Sequence, residues 1–510
     1  MERSTNAEDR VQYVAPEFSH VRICAATAYV SGAGRSLAVD SRIISRTFSK
    51  AFLLVLTAVV LGGCVPIREI RTSFPPAAAG SPQTADLVSI PAPVLSSCNT
   101  GGSTPHEDTR LIEDYGKYVL GFAEFDDQGW SYGDDAQLAA LQQRLQAEVA
   151  NKQYADMDFA VIVFVHGWHH NAHDDDCNVQ EARQTVHIAA QQFDDAYTHH
   201  LIARKRRVFG IYVGWRGESV DAAVLRYTTV IDRRDTAEKV AKGSVRQLLA
   251  NLHEEQMAAQ AAASDRKDPR DQADRMYTTI VGHSFGGLIV FNSLSQQLIN
   301  ELTADVQLYC TSRATGAAGV TSSWPDEVIL INPAFEATRF EPVNRLADRL
   351  AACGYSRAIP SLTVVTADND HWTGSVFTAA RHIMTLFEGY DQSTADSAKL
   401  ERNANLRAIG FVGRYRTHRL CLRQRAPSAY ATVSPTPTPT STANPPSIPG
   451  RAVWVVGAPP DIVNGHDGFL YARASGGGRP QPYLLNWQMA LHVNRADALS
   501  GSNTCGNWPQ

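Results

Sequence analysis

The chain has 510 residues, a formal net charge of -5 at pH 7 and 44% hydrophobic residues, with an isoelectric point near 6.3. That balance leaves no electrostatic footprint for nucleic acid. The length admits several average domains or one large α/β domain with tails.

Residues 1–45 are mixed in composition and precede the first targeting signal. In 46–63, Arg46 and Lys50 lead into an apolar run from Ala51 to Leu61, followed by Gly62-Gly63-Cys64. The run is shorter than the roughly 20 residues that span a bilayer, so it fits a signal-peptide core better than a membrane helix. Leu61-Gly62-Gly63-Cys64 resembles a bacterial lipoprotein cleavage box. The resemblance implies a lipidated Cys64 and membrane anchoring in the exported cell envelope; the alternative is a plain secretory signal with an incidental Cys64. A signal's charged region normally lies close to the start, so 1–45 reads as a doubtful extension, with the true start nearer Val39 or Ile43. Residues 64–109 turn to Pro, Ala, Ser and Gly and read as a flexible tether.

From 110 to 495 the pattern alternates. "YGKYVLGFAEFDDQG" (115–129) predicts an edge strand or hairpin. "FAVIVFVHG" (159–167) is the first strong strand, and "NVQEARQTVHIAAQQFDDAY" the helix after it. The basic run Arg204 to Arg207, a solvated loop flank, leads into the strand "RVFGIYVGW" (207–215). "ESVDAAVLRYTTVIDRRD" (218–235) is the segment expected to cover a pocket. Helical "RDTAEKVAKGSVRQLLANLHEEQMAAQAAA" precedes the strand "YTTIVGHS" (277–284), and helical "GGLIVFNSLSQQLINEL" follows it. "EVILINP" (327–333), "SLTVVTAD" (361–368) and "AVWVVG" (452–457) complete the strands. Each is nearly continuous in apolar character, as strands covered on both faces are. The alternation predicts a doubly wound, mainly parallel α/β sheet with helices on both faces. A Pro/Thr-rich stretch within 431–450 reads as a disordered insertion, and 496–510 as a tail.

Besides Cys24 and Cys64, the cysteines are Cys98, Cys177, Cys310, Cys353, Cys421 and Cys505. They are widely spaced with no C-x-x-C pair, which argues against zinc ribbons and thioredoxin-like motifs. Disulfides stay open in an oxidising compartment.

Gly282-His283-Ser284-Phe285-Gly286 fits G-x-S-x-G between a strand and a helix. Such an elbow projects a serine hydroxyl above the sheet edge and needs small flanking residues. His166-Gly167-Trp168 ends the first strong strand. Backbone N–H groups of Trp168 and Phe285 are the natural donors to a tetrahedral oxyanion. An acid and then a base should follow the serine in the chain. Asp370, at the end of "SLTVVT", is the preferred acid, with Asp368 next and Glu336 third. His466 in "VNGHDGFLYAR", after the last strand, is the preferred base over His418 and His371. A rival chemistry resides in His166, His169, His170, His173, Asp174, Asp175 and Asp176, a loop of metal-ligand types without a helix-spaced ligand pair. The bland reading has this loop capping the oxyanion turn and starting the next helix.

"FVHGWHHNAHDDD", "IYVGWRGES" and "INPAFEATRF" together resemble segments of poorly characterised bacterial α/β-hydrolase-superfamily serine hydrolases of the esterase/lipase type. The likeness covers about 110–495. It implies ester hydrolysis through Ser284, Asp370 and His466, with no cofactor and no metal, on a small-molecule or lipid ester. The other class of reading is a non-catalytic envelope protein that keeps the fold for binding.

Overall fold

Strands buried on both faces must satisfy their backbones with one another, and the apolar runs do so in a single sheet. The computed structural model describes residues 68–74, 108–218, 229–264, 275–311, 324–355, 357, 359–425, 428–435, 451–471 and 481–493. Its strands are β1 (Ile112–Asp114), β2 (Tyr118–Phe125), β3 (Asp158–Val165), β4 (Arg206–Trp215), β5 (Met276–His283), β6 (Glu327–Ile331), β7 (Leu362–Ala367), β8 (His418–Arg425), β9 (Ser428–Pro435) and β10 (Val453–Ala458). They lie in the order β1-β2-β4-β3-β5-β6-β7-β10-β8-β9. Only the β1–β2 and β8–β9 pairs are antiparallel. The parallel core of the sheet carries the α/β architecture that the sequence predicts.

Helices α1 (Ala136–Ala150), α2 (Cys177–Thr198), α3 (Val230–Val240), α4 (Val245–Ser264), α5 (Phe285–Asp305), α6 (Glu341–Ala352), α7 (Phe377–Met384), α8 (Ala395–Leu406) and α9 (Tyr483–His492) connect or flank the strands. Helices α2 and α9 pack together on one face; α5 lies against the sheet beside α3 and α6. The second predicted helical stretch is broken into α3 and α4, where Ser244 N–H leaves the helix ladder and donates to Gly129 O at 2.7 Å. Cys310 and Cys353 form a disulfide, and Cys177 and Cys421 each take part in a disulfide of their own.

Two expectations meet a different structure. Residues 431–435, expected in the insertion, belong to β9, which pairs with β8 along its whole length; residues 436–450 lie outside the described residues. Residues 68–74, expected in the tether, are packed on the sheet. Arg71 is fully buried there, pairs with Glu113 at 3.1 Å, donates to Ala172 O and Asp108 O at 2.8 Å each and stacks 3.7 Å over the Phe122 ring. This buried guanidinium is tolerated because Nε and Nη1 are hydrogen-bonded, Glu113 supplies the opposite charge and Phe122 covers one face, although its Nη2 has no hydrogen-bond partner. The extension 1–45, the signal at 46–63, Cys64, most of the tether, residues 219–228 of the presumed cover and the tail 496–510 lie outside the described residues. Among the described residues no helix is long and apolar enough to cross a membrane.

Candidate active site

The G-x-S-x-G segment forms the junction of β5 and α5. Ser284 has φ 55° and ψ -119°, a conformation that strains a residue carrying a side chain. Backbone bonds hold it. Its N–H donates to Ile331 O at 3.0 Å, and its carbonyl accepts from Ala334 N at 3.1 Å and Leu288 N at 3.3 Å. Crowding explains the glycine at 286: a Cβ there would lie 2.0 Å from Val165 O. Across the gap, a Cβ on Gly167 would lie 2.9 Å from the Ser284 Cβ. The turn after β3 is thereby pressed onto the elbow.

His466, in the loop after β10, reaches this edge. Its Nε2 lies 2.8 Å from Ser284 Oγ, and its Nδ1 lies 2.9 Å from Asp370 Oδ2. Asp370 follows β7 and is 3% exposed. Its Oδ1 accepts from the backbone N–H of Trp372 at 2.9 Å and of Thr373 at 3.2 Å, and its Oδ2 from the Thr373 hydroxyl. Burial would push the Asp370 carboxyl up, but the hydrogen bond and charge of His466 outweigh it and hold it below its usual range. For His466 burial disfavours the imidazolium, yet Asp370 overcomes that and raises the imidazole above its ordinary 6.5. The pair therefore stabilises a positive charge on the ring that faces the serine.

The rival residues are engaged elsewhere. Asp368 pairs with Arg419, whose Nη1 lies 3.0 Å from Oδ1. Glu336 is held by Arg234 at 2.9 Å and by Arg339 at 2.9 Å. His418 is buried on β8, with Nδ1 2.8 Å from Thr417 Oγ1 and its ring against Trp454. His371 is exposed.

The predicted oxyanion donors flank the serine. Phe285 opens α5, where N–H groups lack intrahelical acceptors. Trp168 follows Gly167, and its ring stands 6.5 Å from that of Phe285 and 5.8 Å from that of Trp372. Around Trp168, His166, His170 and Asp176 are spent on scaffolding. His166 accepts from Trp215 N at 2.9 Å through Nε2 and donates to Gly167 O at 2.8 Å through Nδ1; burial lowers it to about 4. His170 faces Asp176 at 3.1 Å. Burial acts against its charge, but Asp176 prevails and lifts it to about 9. Asp176 also caps α2 by accepting from Asn178 N at 2.8 Å. Among the described residues, the ligand-type groups that converge are His283, His466 and Asp467, and Asp108, Glu113 and Asp174, not the histidines of this loop.

Sequence reasoning misses the supports of His466. Asn332, fully buried with φ 45°, donates from Nδ2 to Gly465 O at 3.0 Å and His466 O at 2.8 Å. Its Oδ1 accepts from Ala367 N at 2.8 Å. His283 Nε2–H donates to the same His466 carbonyl at 3.0 Å. Burial and the neighbouring His466 lower His283 to about 3, so it stays a neutral donor. Asn369 Oδ1 accepts from Gly465 N at 2.8 Å. The only signal for Asn332 is Asn-Pro at a strand end, a site where Asn tolerates positive φ.

Strand order and elbow define an α/β-hydrolase type of architecture. No protein-family model matches the chain, and no curated protein does. Among solved structures it is similar to phospholipase PlaB from Legionella pneumophila. In complex with thio-NAD, that protein matches with a TM-score of 0.19 and 14% identity over 54% of this chain and 49% of that one. Without that compound the values are 0.21, 12%, 55% and 51%. The chain thus spans about half the length of those structures, and likeness at this level carries no argument about activity.

Proposed function

We propose that the protein is a serine hydrolase that cleaves carboxylic esters through an acyl-enzyme. The observation that carries this reading is the unbroken chain Asp370–His466–Ser284, with links of 2.9 and 2.8 Å, ending on a strained serine. In the proposed cycle His466 Nε2 takes the Ser284 proton as Oγ attacks the ester carbon, and Asp370 stabilises the resulting imidazolium. The N–H groups of Phe285 and Trp168 receive the oxyanion; each such donor contributes roughly 10²–10³ in rate. Collapse expels the alcohol, which takes its proton from His466. Water then repeats the sequence on the acyl-enzyme and releases the acid, and no cofactor enters.

An apolar acyl group suits the surroundings. The Trp168 ring stands between those of Phe285, the residue after the serine, and Trp372 of the acid loop, and Ile383, Leu386 and Phe387 are exposed at and after the end of α7, which follows that loop. A lipid ester presented at a membrane fits these features. The disulfides support an oxidising compartment, as export requires; anchoring through a lipidated Cys64 rests on the cleavage-box sequence alone. Labelling by a fluorophosphonate probe, with hydrolysis of p-nitrophenyl esters of graded chain length, tests the proposal. Wild type is expected to label and turn over, and Ser284→Ala to do neither. Equal labelling of Ser284→Ala refutes the nucleophile. Failure of wild type to label or hydrolyse favours a binding protein instead.

A further inference from the structure

A cavity of about 80 Å³ lies away from the serine, between the sheet and the face covered by α2 and α9. Ile162 of β3, Val281 of β5 and Ile331 of β6 form its floor; Phe469, Leu484 and Met489 are among its other apolar walls. It follows β5 from Tyr277 to Val281, which at strand rise is about 13 Å. This is the shape of a slot for one alkyl chain.

Its other end is polar. Tyr277, near the start of β5, and Gln488 and His492, one turn apart on α9, line it there. The rings of Tyr277 and His492 meet edge-on at 4.7 Å. Gln488 is 4% exposed, yet neither its Oε1 nor its Nε2 has a hydrogen-bond partner, and the Tyr277 hydroxyl has none either. Behind His492, Glu327 is fully buried, its Oε2 3.0 Å from His492 Nε2, but neither carboxylate oxygen completes a hydrogen bond. Buried polar atoms are rarely left in this state, and several of them facing one apolar slot call for a ligand.

We propose that this cavity binds a neutral single-chain amphiphile, its alkyl chain lying along the strands and its hydroxyl head held by Gln488 and Tyr277. A hydroxyl both donates and accepts, so it satisfies Gln488 Oε1 together with Gln488 Nε2 or the Tyr277 phenol. A carboxylate head only accepts, so it leaves Gln488 Oε1 unsatisfied. The chain end reaches Phe469, three residues beyond His466; the Phe469 ring packs 4.8 Å from that of His283. The site stands independently of the esterase reading.

The test uses the full chain carrying Ser284→Ala, so that nothing is turned over, and titration calorimetry with 1-decanol and with decanoate. 1-Decanol is expected to bind at one site, at least about tenfold more tightly than decanoate. Gln488→Leu, an apolar swap of similar size, is expected to weaken 1-decanol by about tenfold and abolish the preference. Leu484→Trp, which fills the slot, is expected to remove binding of both. Absence of 1-decanol binding, a cavity holding water alone, overturns the proposal. Decanoate binding as tightly as 1-decanol overturns it, and so does undiminished affinity in Gln488→Leu, which would put the ligand elsewhere.

Discussion

Replacing Asp370 with Asn isolates the contribution of one carboxylate to the proposed cycle. The side chain keeps its shape, and its oxygen can go on accepting from Trp372 and Thr373 N–H. The amide nitrogen then faces His466 Nδ1, now 2.9 Å from a carboxylate oxygen. That forces the tautomer whose proton sits on Nε2, so the imidazole can no longer accept from Ser284. The charge is lost as well. Two unit charges about 4 Å apart interact by about 4 kcal/mol at an effective dielectric constant of about 20, roughly 10³ in rate. With the tautomer error the fall in kcat should approach roughly 10⁴. The assay is p-nitrophenyl butyrate hydrolysis, normalised to folded protein. Its pH profile supplies a second reading. Asp370 raises His466 above 6.5, and only the neutral imidazole acts as base, so wild-type activity should be lost below an acid limb lying above pH 6.5. Asp370→Asn should move that limb to lower pH. Asp368→Asn, which breaks a pair with Arg419 instead, should leave kcat within about a factor of three. Retention of more than about a tenth of the rate in Asp370→Asn, or an equal loss in Asp368→Asn, would refute the reasoning.

Asn332→Ala strips partners from Gly465 O and Ala367 N and puts alanine at φ 45°. The buried Ala367 N–H left without a partner costs about 1–3 kcal/mol in stability, and a displaced His466 should lower kcat by roughly 10²; a stable, fully active variant removes Asn332 as a positioning residue. Glu336 offers an acid-stability test. Burial alone would raise it, but Arg234 and Arg339 outweigh that and hold it at about 2 rather than 4.5. A depressed carboxyl stabilises the fold above its unfolded pKa and ceases to do so as pH falls through the folded one. About 3 kcal/mol should therefore drain away between about pH 5 and pH 2. Urea titrations of Glu336→Gln should show a shallower loss across that window, and an unchanged slope would exclude the pair as its source.

How far the sequence reveals this molecule depends on where each interaction is written. The parallel strands are legible because burial on both faces leaves a continuous apolar run, as in "FAVIVFV". The β8–β9 hairpin is not, because "HRLCLRQR" alternates charge with apolar residues and β9 ends inside a Pro/Thr composition. Ser284, Asp370 and His466 can be picked out as polar residues just beyond strands, in the chain order that the hydrolase resemblance implies. Asn332 and His283 cannot. Their partners are backbone groups of distant loops, and no local pattern records such bonds. Arg71 escapes for the same reason: a charged residue in a Pro- and Ala-rich neighbourhood looks solvated until Glu113, Phe122 and Ala172 close around it.

The docking of Arg71 sets a short leash. Six residues lie between Cys64 and Arg71, and the fully extended span from one to the other reaches about 25 Å at most. If Cys64 carries lipid, Arg71 lies within one leash length of the bilayer, so substrate for the proposed hydrolysis would have to come from that same surface. Arg71→Ala should free the strap and increase the membrane-to-body distance read by energy transfer on vesicles; an unchanged distance would mean that Arg71 does not set the reach.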